Sequence, residues 1–120
     1  MTTGTALVLS EPLSLWGGMD PSTGTIIDVH HPQRGASVAG RVLVMVSGRG
    51  SSSSASVLAE AVRAGTAPVA IVLVEPDLIL AIGAAVAEEL YGVRVPVRVV
   101  APDEQATIRD GETITVGDGT

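Results

Sequence analysis

The sequence predicts an α/β fold with a central, mostly parallel sheet and two main helices. Three observations carry that expectation. Two compact, nearly continuous apolar runs, "AGRVLVMVS" and "PVAIVLVE", have the character of strands buried on both faces. An alanine-rich segment with apolar residues at helical spacing lies between them, so strand, helix and strand follow in the order of a right-handed parallel crossover. The apolar residues are nearly all Ala, Val, Ile and Leu, with Trp16 and Tyr91 the only aromatics, which suits strands covered by helices. At 120 residues the chain is expected to form one domain over 1–120.

The first third reads as irregular strands and loops. "TALVLSEPLSLWGG" opens on a β-like run and closes at Gly17-Gly18, and "MDPSTGTIIDVHHPQRG" is dense with turn formers around the small strand candidate "TIIDV". Residues 55–64 then place Val57, Leu58, Ala61 and Val62 on one helical face, with Glu60 and Arg63 off it and Gly65 as the stop. After the second apolar run the unit repeats: Pro76-Asp77 can start a helix through "LILAIGAAVAEEL", with Asp77 as N-cap and Tyr91-Gly92 as its end. Pro96 demotes "VRVPVRVV" to an edge or bulged strand. Asp110-Gly111, between two short strand-like pieces of "ATIRDGETITVGDG", predicts a terminal hairpin.

Composition excludes several functions. A net charge of −6, a pI near 4.6 and the lack of any lysine argue against nucleic acid, whose phosphates demand clustered cations. Zero cysteines exclude disulfides, and thiolate ligation of zinc or of an iron–sulfur cluster by this chain alone, so any such metal would come with a partner. With 46% hydrophobic residues and a mean hydropathy of +0.45 the chain is too apolar for disorder, yet its apolar runs are too short to span a bilayer. The N-terminus has neither the basic region nor the apolar core of a secretory signal, and the cytoplasm is the expected location.

The stretch "GRGSSSS", Gly48 to Ser54, has the composition of a flexible linker but not its position. It joins a buried strand to the helix expected to pack on it, and loops at the carboxyl ends of parallel strands are where ligands bind. There Gly48 and Gly50 let backbone amides approach a ligand, while the serines cap a helix whose dipole favours an anion. The loop lacks the lysine of a phosphate-binding loop, the third glycine of a dinucleotide fingerprint and the spacing of a nucleophile elbow. Ser51 and its neighbours, helped by the Arg49 cation, are left for proton chemistry. A serine beside a guanidinium and helix-terminal amides can serve as an alkoxide base, and the same serine can equally be a plain cap.

Other candidates have quieter alternatives. His30 and His31 near Asp28 suggest a metal, but adjacent residues on an extended chain point to opposite sides, which favours a turn anchored by histidine hydrogen bonds. Glu75 and Asp77 flank Pro76 at the same sheet edge as the serine loop, where they can meet a substrate or cap the next helix. Trp16 can be a core plug or a pocket wall.

Taken together, "LSLWGGMDPSTGTIIDVHHP", "AGRVLVMVSGRGSSSSASVLAE", "APVAIVLVEPDLILAIGAAVAEELYG" and "VPVRVV" resemble the small subunit, or swivel domain, of the aconitase X family. The resemblance covers about Gly4 to Val116. It implies a swivelling β/β/α domain that closes over the site of a hydro-lyase. The larger, cysteine-bearing part of such an enzyme holds an iron–sulfur cluster whose iron takes the departing hydroxyl. It also implies that Ser51 matches the proton-abstracting serine, with Arg49, Gly50, Ser52 and Ser53 around the substrate, and that neither subunit works alone. Two substrates are implied, cis-3-hydroxy-L-proline and phosphomevalonate, and "GRGSSSSAS" looks more like the hydroxyproline type. A phosphotransfer carrier of similar architecture would need a histidine in this loop, which holds none. A non-catalytic interaction module of the same fold is the remaining alternative.

Overall fold

Alternation at period two sorts the sheet residues into two cores. In the computed structural model, which describes residues 1–49 and 51–117, the chain runs β1 (Thr2–Val8), α1 (Leu15–Gly18), β2 (Met19–Asp20), β3 (Thr25–Ile26), β4 (Val42–Val44), α2 (Ser54–Ala64), β5 (Ala70–Leu73), α3 (Leu78–Tyr91), β6 (Val97–Val99), α4 (Pro102–Ala106) and β7 (Thr113–Val116). The main sheet has the order β6-β5-β4-β1-β7, parallel throughout except for β7, and β2 pairs with β3 in a small antiparallel ribbon. Leu7, Leu43, Ile71 and Val97 lie opposite one another across the four parallel strands. Leu7, Leu43, Ile71 and Leu73 join the core that also holds Leu58, Ala61 and Val62 of α2 and Leu80, Ala84 and Ala87 of α3. The alternate residues Ala6, Val42, Val44, Ala70 and Val72 form a second core, closed by Val100, Ile108, Ile114 and Val116. The sheet is therefore curled into a half-barrel with the two long helices on its outer face.

Both long helices stop where the sequence says they should. Gly65 and Gly92 follow α2 and α3 in the left-handed conformation, at φ 78° and 68°, which only glycine adopts without strain. The Asp77 Oδ1 accepts the Leu80 N–H at 3.0 Å and so caps α3. The helices approach closely at Gly83, where a Cβ would lie 2.9 Å from the Ala55 carbonyl oxygen. β6 is an edge strand, as Pro96 requires, and the proline contributes its carbonyl by accepting the Ile71 N–H.

Two expectations are corrected. The segment before Asp110-Gly111 is no strand: α4 and a turn occupy it, and β7 pairs with β1, Thr2 opposite Val116. The turn residues bond to β1 instead of closing a hairpin. Asp110 Oδ1 accepts the Val8 N–H at 2.9 Å, the Gly111 N–H donates to Ala6, and the Ala6 N–H donates to Glu112. "TIIDV" shrinks to Thr25–Ile26, with Ile27 already exposed. In the neighbouring turn Asp20 Oδ1 accepts from both the hydroxyl and the N–H of Ser22, and these bonds hold its carboxyl below the ordinary aspartate range.

Candidate functional site

Three loops meet at the carboxyl ends of β1, β4 and β5, the edge of a parallel sheet at which ligands bind. The loop after β4 is tied to its neighbours on both sides. Gly48 bridges to Leu13 and the Arg49 N–H reaches the Leu13 carbonyl at 3.4 Å, while the N–H groups of Val74 and Glu75 both donate to Val46 at 2.9 Å. Glycine suits position 48 because a Cβ there would push the Asp77 carboxylate from its place capping α3. The serine loop and the N-terminus of α3 are thus locked together.

The four serines fall into three environments. Ser51 is half-buried, and its Oγ accepts the Ser53 N–H at 3.0 Å, while its carbonyl accepts the Ser54 N–H. Ser52 and Ser53 are exposed on the approach to α2, and Ser53, though at the N-cap, makes no side-chain cap bond. Ser54 is buried at 5% exposure, and its Oγ accepts the Trp16 N–H at 3.1 Å. Arg49 is exposed, and among the described residues its guanidinium meets no acceptor. Gly50 lies outside the described residues.

The link from Ser54 to Trp16 was not legible in the sequence. Trp16 and Gly17, at φ/ψ −74°/117° and 80°/−15°, make the type II turn that gives α1 its non-helical interior, and glycine is required at the second position. The turn leaves Trp16 57% exposed beside the serine loop, which rules out a core plug. A dimple of about 10 Å³, room for one water, is lined by Leu15, Gly48, Arg49, Ser51, Ser54 and Asp77 among others. A substrate held here would have to be enclosed from outside the chain.

The remaining candidates resolve into structure. Asp77 is a cap and Glu75 is exposed. His31 is buried: its Nδ1 accepts the Gln33 N–H at 3.1 Å, which leaves the ring proton on Nε2 to be donated to the Glu11 carbonyl at 3.0 Å. His30 is exposed, its N–H bonded to Asp28 Oδ1. This is the histidine-anchored turn. Among the described residues no group of three or more His, Cys, Asp or Glu side chains is placed to hold a metal ion. With no cysteine either, the chain offers no thiolate ligand set for an iron–sulfur cluster.

A parallel half-barrel with a glycine-serine loop at its carboxyl edge can be compared with known families. The model of the aconitase X swivel domain matches residues 1–120. The chain belongs to that family. The swivel domain is 50% identical over 94 residues to the cis-3-hydroxy-L-proline dehydratase of Pseudomonas aeruginosa, a match covering 78% of this chain and 16% of that protein. It is 37% identical over 118 residues to the phosphomevalonate dehydratase small subunit of Methanocella arvoryzae, covering 98% of this chain and 85% of that one. The crystal structure of Thermococcus kodakaraensis aconitase X in its holo-form aligns with a TM-score of 0.82 at 30% identity, over 93% of this chain and 79% of that chain. The swivel fold expected from the sequence is therefore the fold of this chain. The domain spans about a sixth of the Pseudomonas protein but most of the Methanocella subunit.

Proposed function

We propose that this chain is the small subunit of a heteromeric hydro-lyase, a dehydratase of a small hydroxy acid, in which Ser51 is the base. The observation that carries this reading is the Ser51 Oγ, which accepts the Ser53 N–H at 3.0 Å at the approach to the N-terminus of the 11-residue helix α2. An amide donor, a helix N-terminus and the Arg49 cation two residues away all favour a negative oxygen over a neutral hydroxyl. Such an oxygen removes the proton from the carbon beside the substrate carboxylate. The hydroxyl on the next carbon leaves, so that proton and hydroxyl together account for one water and a carbon–carbon double bond remains. Arg49 pairs with the substrate carboxylate, and Gly50, Ser52 and Ser53 belong to the same binding set.

The dimple is too small to enclose a substrate, which supports a partner that covers the loop; that this partner is large, bears cysteines and carries the iron–sulfur cluster is part of the proposal. Among the described residues no helix is long and apolar enough to cross a membrane, and a cytoplasmic location is part of the proposal. The substrate proposed is cis-3-hydroxy-L-proline, on the 50% identity to the Pseudomonas dehydratase. The near full-length match to the Methanocella subunit favours phosphomevalonate as the second reading. Offering both compounds to the chain assembled with its large partner, and following water loss by NMR, decides between them. The expected result is a kcat/KM for cis-3-hydroxy-L-proline about 10⁴-fold or more above that for phosphomevalonate, the scale on which a site built for one set of polar groups rejects another. The reverse ratio installs the second reading, and turnover of neither by an assembled pair leaves a non-catalytic module.

A further inference from the structure

The face of α3 turned away from the sheet is apolar where solvent should have selected polar residues. Leu78, Ile82, Val86 and Leu90 follow one another at intervals of four, forming a single ridge, and all four are exposed, Leu78 at 74% and Leu90 at 63%. Beside this ridge, a groove of about 400 Å³ runs between the two long helices, floored by small residues from Ala55 to Ala59 of α2, walled by Ile82, Val86 and Leu90, and bordered by Glu60 and Tyr91. From Leu78 to Ala87 the helix carries no charged residue, Glu88 and Glu89 being confined to its last turn, and so wide an apolar surface is suited to the inside of a larger body. Contiguous exposed apolar surface of this kind marks an interaction site.

We infer that the ridge and groove of α3 and α2 form the docking surface for an apolar helix of the large dehydratase chain, an inference that rests on reading this chain as its small subunit. Continuity with the candidate site selects that occupant. The groove opens at Ala55 and Ser56, which follow the serine loop directly, and the ridge begins at Leu78, next to the Asp77 that lines the Ser51 dimple. Ser54 of the dimple and Ala55 of the groove are sequence neighbours, so a body broad enough to cover Ser51 is placed to meet the near end of the groove. The stretch that matches this chain makes up only 16% of the Pseudomonas dehydratase, so in that relative the matching sequence belongs to a much longer chain. The i±4n ridge is the kind that interdigitates with a facing helix, and the small residues of α2 let that helix come close.

The test co-expresses the chain with its large partner and compares Ile82→Glu and Leu90→Glu with Thr113→Lys, a control on exposed β7. A carboxylate buried in an apolar contact is strongly disfavoured, so each glutamate variant is expected to weaken the complex at least about tenfold. Exposed substitutions leave stability nearly unchanged, so the isolated variants should melt within about 2 °C of the parent. At saturating excess each variant should recover the parental turnover, since neither residue belongs to the proposed catalytic loop. If Ile82→Glu lowers the melting temperature, Leu90→Glu in the last turn of α3 decides alone. Parental affinity in both variants overturns the inference. So does a switch of the isolated chain from dimer to monomer with the complex intact, which would make the groove a self-association face. Variants that lose the complex, in a pair that assembles but dehydrates nothing, uphold the docking surface and remove the dehydratase reading.

Discussion

Replacement of Ser51 by alanine is expected to lower dehydration by the assembled enzyme by about 10²- to 10⁴-fold, the usual contribution of a positioned general base. The fold should survive. The lost interaction is one hydrogen bond from the Ser53 N–H at a half-buried loop, worth about 1 kcal/mol or less by comparison with helix caps. Melting should therefore move by only a few degrees, and the amount of complex recovered with the large chain should not change. The combination separates chemistry from assembly. A Ser51→Ala enzyme with near-parental kcat would reduce the residue to its hydrogen bond with Ser53. The neighbouring Ser54 is the internal control for the opposite behaviour, because it is buried and holds the Trp16 turn, so its loss should be felt in folding as well as in turnover.

The second large effect lies far from any reacting atom. A valine at Gly83 would set its Cβ 2.9 Å from the Ala55 carbonyl oxygen and 3.0 Å from the Ala55 Cα, both backbone atoms that no rotamer change can move. Alanine already carries that Cβ and meets the whole of this clash, set against about 1 kcal/mol of regained helix propensity. Valine adds two methyl groups to the same space, and the expected cost is about 2–3 kcal/mol, or roughly 8–15 °C in melting temperature. The helices can relieve the overlap only by moving apart. Ala55 directly follows the serine loop, so that movement displaces Ser51 relative to Asp77 and should reduce turnover in whatever fraction stays folded. Thermal denaturation and kcat of Gly83→Val measured on one preparation test both halves. Parental stability would mean that α2 and α3 have slack that the structure does not contain.

The parts of the molecule that were legible beforehand are those fixed by local chemistry. Gly65, Asp77 and Gly92 mark helix ends because each solves a backbone problem within a few residues of itself. The apolar runs mark β4 and β5 because strands of a parallel sheet are covered on both faces. The terminal hairpin failed because Asp110 and Gly111 are local turn formers whose partners, Val8 and Ala6, are about a hundred residues away in sequence. No short-range pattern encodes that pairing. The candidate site rests on less, because no contact in the structure assigns a role to its residues. Loop position and residue type singled out Ser51 and Arg49, and family resemblance gave them roles, but the bond from Trp16 to Ser54 joins two segments 38 residues apart and left no signal. Among the histidines the reverse holds: the turn around His31 was expected, and the carbonyl of Glu11 that orients its ring was not.

If this chain supplies an indispensable half of a dehydratase site, a titration against the large chain will show it. The large chain is held at fixed concentration under anaerobic conditions, this chain is added in steps, and the rate of water loss from cis-3-hydroxy-L-proline is followed. No turnover is expected at zero addition, none from this chain alone, and a rate that rises and saturates at a fixed ratio of the two. A large chain that runs at full rate before any of this chain is added would contradict that expectation.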